Sequence, residues 1–291
     1  MKTRARTSNG GKFWRSALLG SVLAGALLLP VSSASAETVD TELLLLVDIS
    51  GSITDKQFDQ MMGSYARAMT SAAMLDAIQS GATGSIATAV MFWSGSSEQS
   101  IGVDWMKISD YDSANRFAEA VAAAIRPFSG KTALATAMNR GVPMFGGETG
   151  GTDNGFQSIS QILNVAGDGV DNDSGARTKD RSVYVDQARN NALAVGVDLI
   201  NGLAINDNSA PDRTNAIQQY FTAHVIGGET GGVQAVANYA PDYASLEQTV
   251  LNTLRAGVAA GAAQSLTVVP EPAVSGLGVG ALMLLALRRR K

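Results

Sequence analysis

Two short stretches of this chain place oxygen-bearing side chains where a strand pattern runs out. Leu43 to Val47 is continuously apolar and is followed by Asp48-Ile49-Ser50-Gly51-Ser52. Ile159 to Ala166 is followed by Gly167-Asp168-Gly169. Between them in sequence, Ser129-Gly130-Lys131-Thr132 precedes a helical pattern. Asp48, Ser50, Ser52 and Asp168, with a hydroxyl from the 129–132 segment, therefore offer two carboxylates and three hydroxyls. Gly51 has no Cβ and permits a tight turn among the first three. A donor set of oxygens alone selects a hard divalent cation such as Mg²⁺ or Mn²⁺. Two carboxylates balance the charge, and neutral hydroxyls leave the ion electrophilic toward an incoming acid. Ser129 and Thr136 are nearby hydroxyls that compete with Thr132 for the middle position. Asp and Ser also serve as turn and cap residues, so each motif alone is weaker than the set.

Positioning such a set requires strands that end together. The apolar run at 43–47 has the form of a parallel strand buried on both faces. Thr54-Asp55-Lys56-Gln57 has the form of a capping box, followed by a helical stripe of Phe58, Met61, Met62, Tyr65 and Met69. The Met-rich stripe reads as core filling. Strands are expected at Ile86–Trp93, Ile101–Ile108 (an edge), Ile159–Ala166 and Val197–Ile205, with a short last one at Gln234–Ala237. Helices are expected after an Asp112 cap, with Phe117, Val121, Ala124 and Ile125 on one face, and from near Thr132. A further stripe is Tyr184, Ala188, Ala192 and Val195, stopped by Gly196, and a closing helix spans Tyr243–Ala256. Alternating strands and helices predict an α/β fold: a doubly wound, mostly parallel sheet with helices on both faces. In such sheets ligands bind beyond the carboxyl ends of the strands, where the oxygen-bearing residues fall.

Composition removes other chemistries. The chain of 291 residues has no Cys and one His, His224, which excludes disulfides, thiolate sites and multi-His zinc sites. Residues 37–268 hold 13 basic and 25 acidic residues, a net charge of −12 that repels nucleic acid. Gly130-Lys131-Thr132 echoes a phosphate loop but lacks its earlier Gly, the position being Ile125. No Gly-x-Ser-x-Gly elbow accompanies His224, which reads as a structural or surface residue. Asp171-Asn172-Asp173 lacks the continuation of a calcium loop and reads as a solvated acidic loop rather than a second ion site.

The ends differ from this body. Residues 1–36 have the parts of a secretory signal peptide: basic residues to Arg15, an apolar run from Ala17 to Leu29, and Ala34-Ser35-Ala36 as cleavage site. Residues 269–291 contain Val269-Pro270-Glu271-Pro272, a short apolar span at 273–287, and Arg288 to Lys291. A basic cluster after an apolar span retains its end in the cytoplasm. This tripartite order resembles the PEP-CTERM sorting tail of Gram-negative bacteria. That resemblance implies processing by an exosortase-type enzyme, transient inner-membrane anchoring and delivery to the cell surface or extracellular matrix.

Between the ends, residues 37–268 read as one domain. Asp-x-Ser-x-Ser after the first strand, a Thr in a middle loop and Asp-Gly after a later strand resemble a von Willebrand factor A domain. The pattern is similar to its metal-ion-dependent adhesion site. The Gly-Asp-Gly turn, and Val225-Ile226-Gly227-Gly228 before a short strand, resemble an uncharacterised bacterial branch of that family. The resemblance implies that Asp48, Ser50, Ser52, Thr132 and Asp168 hold Mg²⁺ or Mn²⁺. It implies a binding module rather than an enzyme, whose partner is a protein offering a carboxylate, or a matrix polysaccharide. The competing classes are a metal-assisted hydrolase, for which no general base is visible beyond the metal-site carboxylates, and a structural or assembly module of the envelope or matrix.

Overall fold

A computed structural model describes residues 36–206 and 215–268. The expected signal peptide, apart from Ala36, and the expected tail with its span at 273–287 lie outside the described residues. Among the described residues no helix is long and apolar enough to cross a membrane.

The strands are β1 (Glu37–Thr38), β2 (Thr41–Asp48), β3 (Ile86–Trp93), β4 (Gln99–Ile108), β5 (Phe156–Gln157), β6 (Gln161–Gly167), β7 (Leu199–Ile205), β8 (Gly227–Thr230), β9 (Val233–Gln234) and β10 (Ala237–Ala240). The helices are α1 (Asp55–Thr70), α2 (Ala72–Gln79), α3 (Tyr111–Ala122), α4 (Leu134–Gly141), α5 (Ser182–Ala194), α6 (Ala216–Tyr220) and α7 (Leu246–Thr267). The main sheet runs β4-β3-β2-β6-β7-β8-β9, and β10 shares the far side of β7 with β8. Pairings among β3, β2, β6, β7 and β10 are parallel, and edge strand β4 is antiparallel to β3. β1 and β5 form a separate parallel pair.

Helices cover both faces, as the strand composition requires. Leu43, Leu45 and Val47 of β2 pack with side chains of α1, α2, α3 and α7. Leu44 and Leu46 point the other way, toward α4, α5 and the 3-10 segment Val142–Thr149. The doubly wound, mostly parallel α/β architecture is thus the one expected. The chain leaves β2 toward β3 on one side and reaches β6 and β7 on the other. The switch point where ligands bind in such sheets lies between the carboxyl ends of β2 and β6.

Helix α1 carries the expected capping box: Gln57 N–H donates to Thr54 Oγ1 at 3.3 Å, and Thr54 N–H to Gln57 Oε1 at 2.8 Å. Its Phe58, Met61, Met62, Tyr65 and Met69 are all buried. Helix α3 departs from expectation. Asp110, not Asp112, caps it, accepting the Ser113 amide at 2.8 Å. The helix stops before Ala124 and Ile125, and Ile125 is exposed. Pro127 lies just beyond, and a residue before proline is disfavoured in helical geometry.

Helix α7 starts later and ends later than the expected Tyr243–Ala256, running through Gly257 and Gly261. A Cβ at Gly261 would meet Thr41 Oγ1 at 2.1 Å and Ser160 Oγ at 3.2 Å. Glycine here lets the helix approach the amino ends of β2 and β6 rather than ending it. The expected last strand resolves into β9 and β10 on either side of Ala235 and Val236. Strands β6 and β7 begin two residues later than expected. Val195 lies beyond α5 and is exposed; Gly196, with φ +116°, turns the chain there.

Candidate metal site at the switch point

Asp48 is the last residue of β2, in register with Trp93 of β3. The chain then turns. Ile49 and Ile53 are buried and anchor the turn, while Ile49 N–H donates to Trp93 O at 2.9 Å and Ile53 N–H to Ser50 O at 3.0 Å. Ser50 N–H donates to Asp48 Oδ1 at 2.7 Å, an Asx turn that fixes this carboxylate. Gly51 N–H donates to Gly130 O at 2.8 Å, and a Cβ at Gly51 would stand 3.2 Å from Ser129 O. The turn thus lies directly against the loop that carries Thr132.

The side chains converge. Ser50 Oγ lies 3.2 Å from Ser52 Oγ, and the Ser52 hydroxyl donates to Asp168 Oδ1 at 2.8 Å. Asp168 follows β6, whose last residue, Gly167, borders Asp48: a Cβ at Gly167 would be 3.0 Å from Asp48 Oδ2. The same Cβ would be 3.5 Å from the Trp93 ring, which floors this end of the sheet. A Cβ at Gly169 would sit 3.6 Å from Thr132 Oγ1, so Thr132 borders the Asp168 turn. Asp48, Ser50, Thr132 and Asp168 are buried, and Ser52 is exposed at the rim. The three candidates for the middle hydroxyl separate. Thr136 Oγ1 is 3.0 Å from Ser174 Oγ, Ser129 is exposed, and Thr132 is buried next to Asp168.

The electrostatics of this group are unfavourable without a cation. Burial, and then the neighbouring Asp168 carboxylate, push the Asp48 carboxyl well above the ordinary carboxylate range. Bonds from Ser50 and from the Asp168 amide offset this only in part. Asp48 Oδ2 is buried and accepts no well-formed hydrogen bond. A buried carboxylate beside a second carboxylate and three hydroxyls is a donor set that fits a hard divalent cation. Among the described residues no cluster of three or more His, Cys, Asp or Glu side chains forms a metal-holding group. Hydroxyls are therefore an essential part of any such site here.

Several residues that hold the site were not among those singled out in the sequence. Arg126, mostly buried, donates from Nη2 to Ile49 O at 2.9 Å and to Ser50 O at 2.8 Å, and pairs with Asp55 at 2.9 Å. It clamps the back of the Asp48–Ser52 turn. The loop after Asp168 is not the solvated acidic loop expected. Asp171 is buried and accepts the amides of Ala135 at 2.8 Å, Ser174 at 2.8 Å and Asp173 at 3.1 Å. Asn172 Oδ1 accepts the Thr132 amide at 3.0 Å, and Thr132 O accepts the Asn172 amide at 2.8 Å. Asp173 accepts from Ser96 and pairs with Lys131 at 2.9 Å; these contacts, the Ser96 amide foremost, hold its carboxyl below its ordinary range. This loop ties the amino end of α4, and so Thr132, to the Asp168 turn. A signal was available in Asp171-x-x-Ser174, whose spacing suits a side chain accepting local amides.

His224 stands elsewhere, with Nδ1 3.1 Å from Asp186 Oδ1 and its ring 4.9 Å from that of Tyr220. Its environment is the structural one expected.

Solved structures resemble the chain at low identity. A proximal thread matrix protein from the mussel byssus, solved with a zinc-occupied MIDAS motif, is 15% identical over 76% of this chain and 48% of its own, with TM-score 0.47. A von Willebrand factor type A protein from Catenulispora acidiphila is 16% identical over 77% and 43%, with TM-score 0.47. The pilus adhesin SpaC from Lactobacillus rhamnosus GG is 14% identical over 77% and 31%, with TM-score 0.48. The chain thus spans less than half the length of each of these three. No curated protein matches it. The model of the family described as protein of unknown function (DUF1194) matches residues 38–255, and the chain belongs to that family.

Proposed function

We propose that this protein is a von Willebrand factor A-like binding module whose metal-ion-dependent adhesion site is formed by Asp48, Ser50, Ser52, Thr132 and Asp168. The observation that carries this reading is the pairing of buried Asp48 with Asp168 at the switch point, bordered by three hydroxyls. A bound Mg²⁺ or Mn²⁺ would balance the two carboxylates and offer a coordination position to a carboxylate of a partner protein. Asp48 is held by its Asx turn, Ser52 orients Asp168, and the α4 loop presents Thr132. These side chains offer fixed ligands and no spare acid or base, which favours binding over catalysis.

In this reading residues 1–36 direct export, and residues 269–291 are removed by an exosortase-type enzyme on the way to the surface or matrix. Partner capture tests the function. Protein immobilised through its body should retain a binding partner from envelope or matrix extract in Mg²⁺ and release it in chelator. Thr132→Ala should weaken capture while leaving the circular dichroism spectrum unchanged. Capture that is indifferent to chelator, or metal-dependent hydrolytic turnover lost in Asp168→Ala, would contradict it.

A further inference from the structure

On the sheet face covered by α4, a cleft of about 670 Å³ opens between edge strand β4 and residues 140–154. Its size is in the range of small-ligand sites. It is separate from the candidate metal site. Helix α4 begins beside Thr132 and carries Arg140 in its last turn, so the two lie at opposite ends of that helix.

The lining has a specific chemistry. Trp105 is half-buried and its indole is fixed: Nε1 donates to Met144 O at 2.9 Å, and the ring lies 5.8 Å from that of Phe145. Arg140 is exposed, and its guanidinium makes no hydrogen bond or ion pair among the described residues. Asp104 and Asp153 each commit Oδ1 to a local amide, Trp105 N and Gly155 N, both at 2.8 Å. Their second oxygens remain for a ligand. Ser100 and Thr152 add hydroxyls.

Each feature restricts the ligand. A held indole favours a flat C–H surface. An unpaired guanidinium favours a carboxylate, and more so on a body of strongly negative charge. Two flanking carboxylates accept hydroxyl donors and repel a phosphate or a densely charged acid. A ring with a C–H face, several hydroxyls and a single carboxylate satisfies all of these. We propose that this cleft binds an acidic glycan through uronic-acid rings, with the ring on Trp105, the carboxylate on Arg140 and hydroxyls on Asp104 and Asp153.

Calorimetry on the full chain tests this in chelator, which silences the candidate metal site and keeps the two readings distinguishable. The probes are trigalacturonate, its neutral methyl ester and triglutamate. Saturable binding is expected for trigalacturonate. It should weaken about tenfold or more for the methyl ester, and equally for the Arg140→Ala variant, as loss of a charge-assisted pair implies. Arg140 has no partner to lose among the described residues, so its variant should melt as wild type does. Asp48→Ala should leave uronate binding unchanged. No heat with trigalacturonate, equal affinity in Arg140→Ala, or triglutamate bound as tightly as trigalacturonate would overturn the proposal, the last marking a peptide site.

Discussion

Ser52 donates its hydroxyl to Asp168 Oδ1 at 2.8 Å across 116 positions of sequence. This bond joins the turn after β2 to the turn after β6. It also orients one of two carboxylates that would otherwise only repel. Replacing Ser52 with Ala should lower Mg²⁺ affinity about tenfold, because a ligand and an orienting donor are lost together. Folding in chelator should weaken by no more than about 1 kcal/mol, since Ser52 is exposed. Titration of metal-induced stabilisation in the two proteins measures the difference. Equal metal affinity would remove Ser52 from the site.

Asp171 should matter more to folding than to metal chemistry. It accepts three amides that would be left without a partner in Asp171→Ala. The expected loss is about 2–3 kcal/mol in urea unfolding. Asp171→Asn keeps one acceptor oxygen and should lose less. A variant as stable as wild type would show that the loop does not support α4.

These two residues mark what the sequence made legible. Asp48 was readable because it ends a continuous apolar run, and Asp168 because an Asp-Gly turn follows a second strand pattern at 159–166. Arg126 was not, and of the Asp171 contacts only the local ones to Asp173 and Ser174 left a signal. The Asp171 bond to Ala135 and the Arg126 bonds to Ile49 and Ser50 span 36 to 77 positions and form only when α4 and the Asp48 turn dock. The extension of α7 past Ala256, through Gly257 and Gly261, has a related reason. The approach of α7 to Thr41 and Ser160 at Gly261 is a tertiary requirement. The order of strands and helices needed no such information, since the apolar periods follow from burial on one face or two.

Glu42 carries a pH dependence of its own. It is buried on β2 and accepts from Asn154 at 2.6 Å and Ser158 at 3.0 Å. Burial, partly offset by the Asn154 bond and reinforced by Glu148, pushes its pKa up to about 7 from 4.5. Between these values the folded state binds more protons than the unfolded state, so stability falls as pH rises from about 4.5 to about 7. Glu42→Gln cannot ionise and should lack this component. Its stability relative to wild type should therefore rise by on the order of 2 kcal/mol across that window. Urea unfolding at pH 4.5 and pH 7.5 measures it. A difference between the two proteins that does not change with pH would show that Glu42 does not titrate there.

The fate of the ends is open to mass spectrometry. Export and exosortase-type processing predict a native protein that begins at Glu37 and ends close to Pro270. Intact mass from the producing cells decides this. A mass that includes residues 273–291 would mean a retained tail, and the surface or matrix destination would be withdrawn.

The central claim is that Asp48 and Asp168 are brought together to hold a cation, and thermal unfolding with and without Mg²⁺ or Mn²⁺ tests it most directly. A ligand bound only by the native state at about 100 times its Kd stabilises by about 2.7 kcal/mol. For a domain of this size that corresponds to a rise in Tm of roughly 5–10 °C. The rise should vanish in Asp48→Ala. In chelator, that variant loses both a buried carboxyl repelled by Asp168 and the acceptor of the Ser50 amide, and its melting point there is the baseline against which the missing rise is read. No rise in wild type with either ion, or the same rise in Asp48→Ala, would contradict the account.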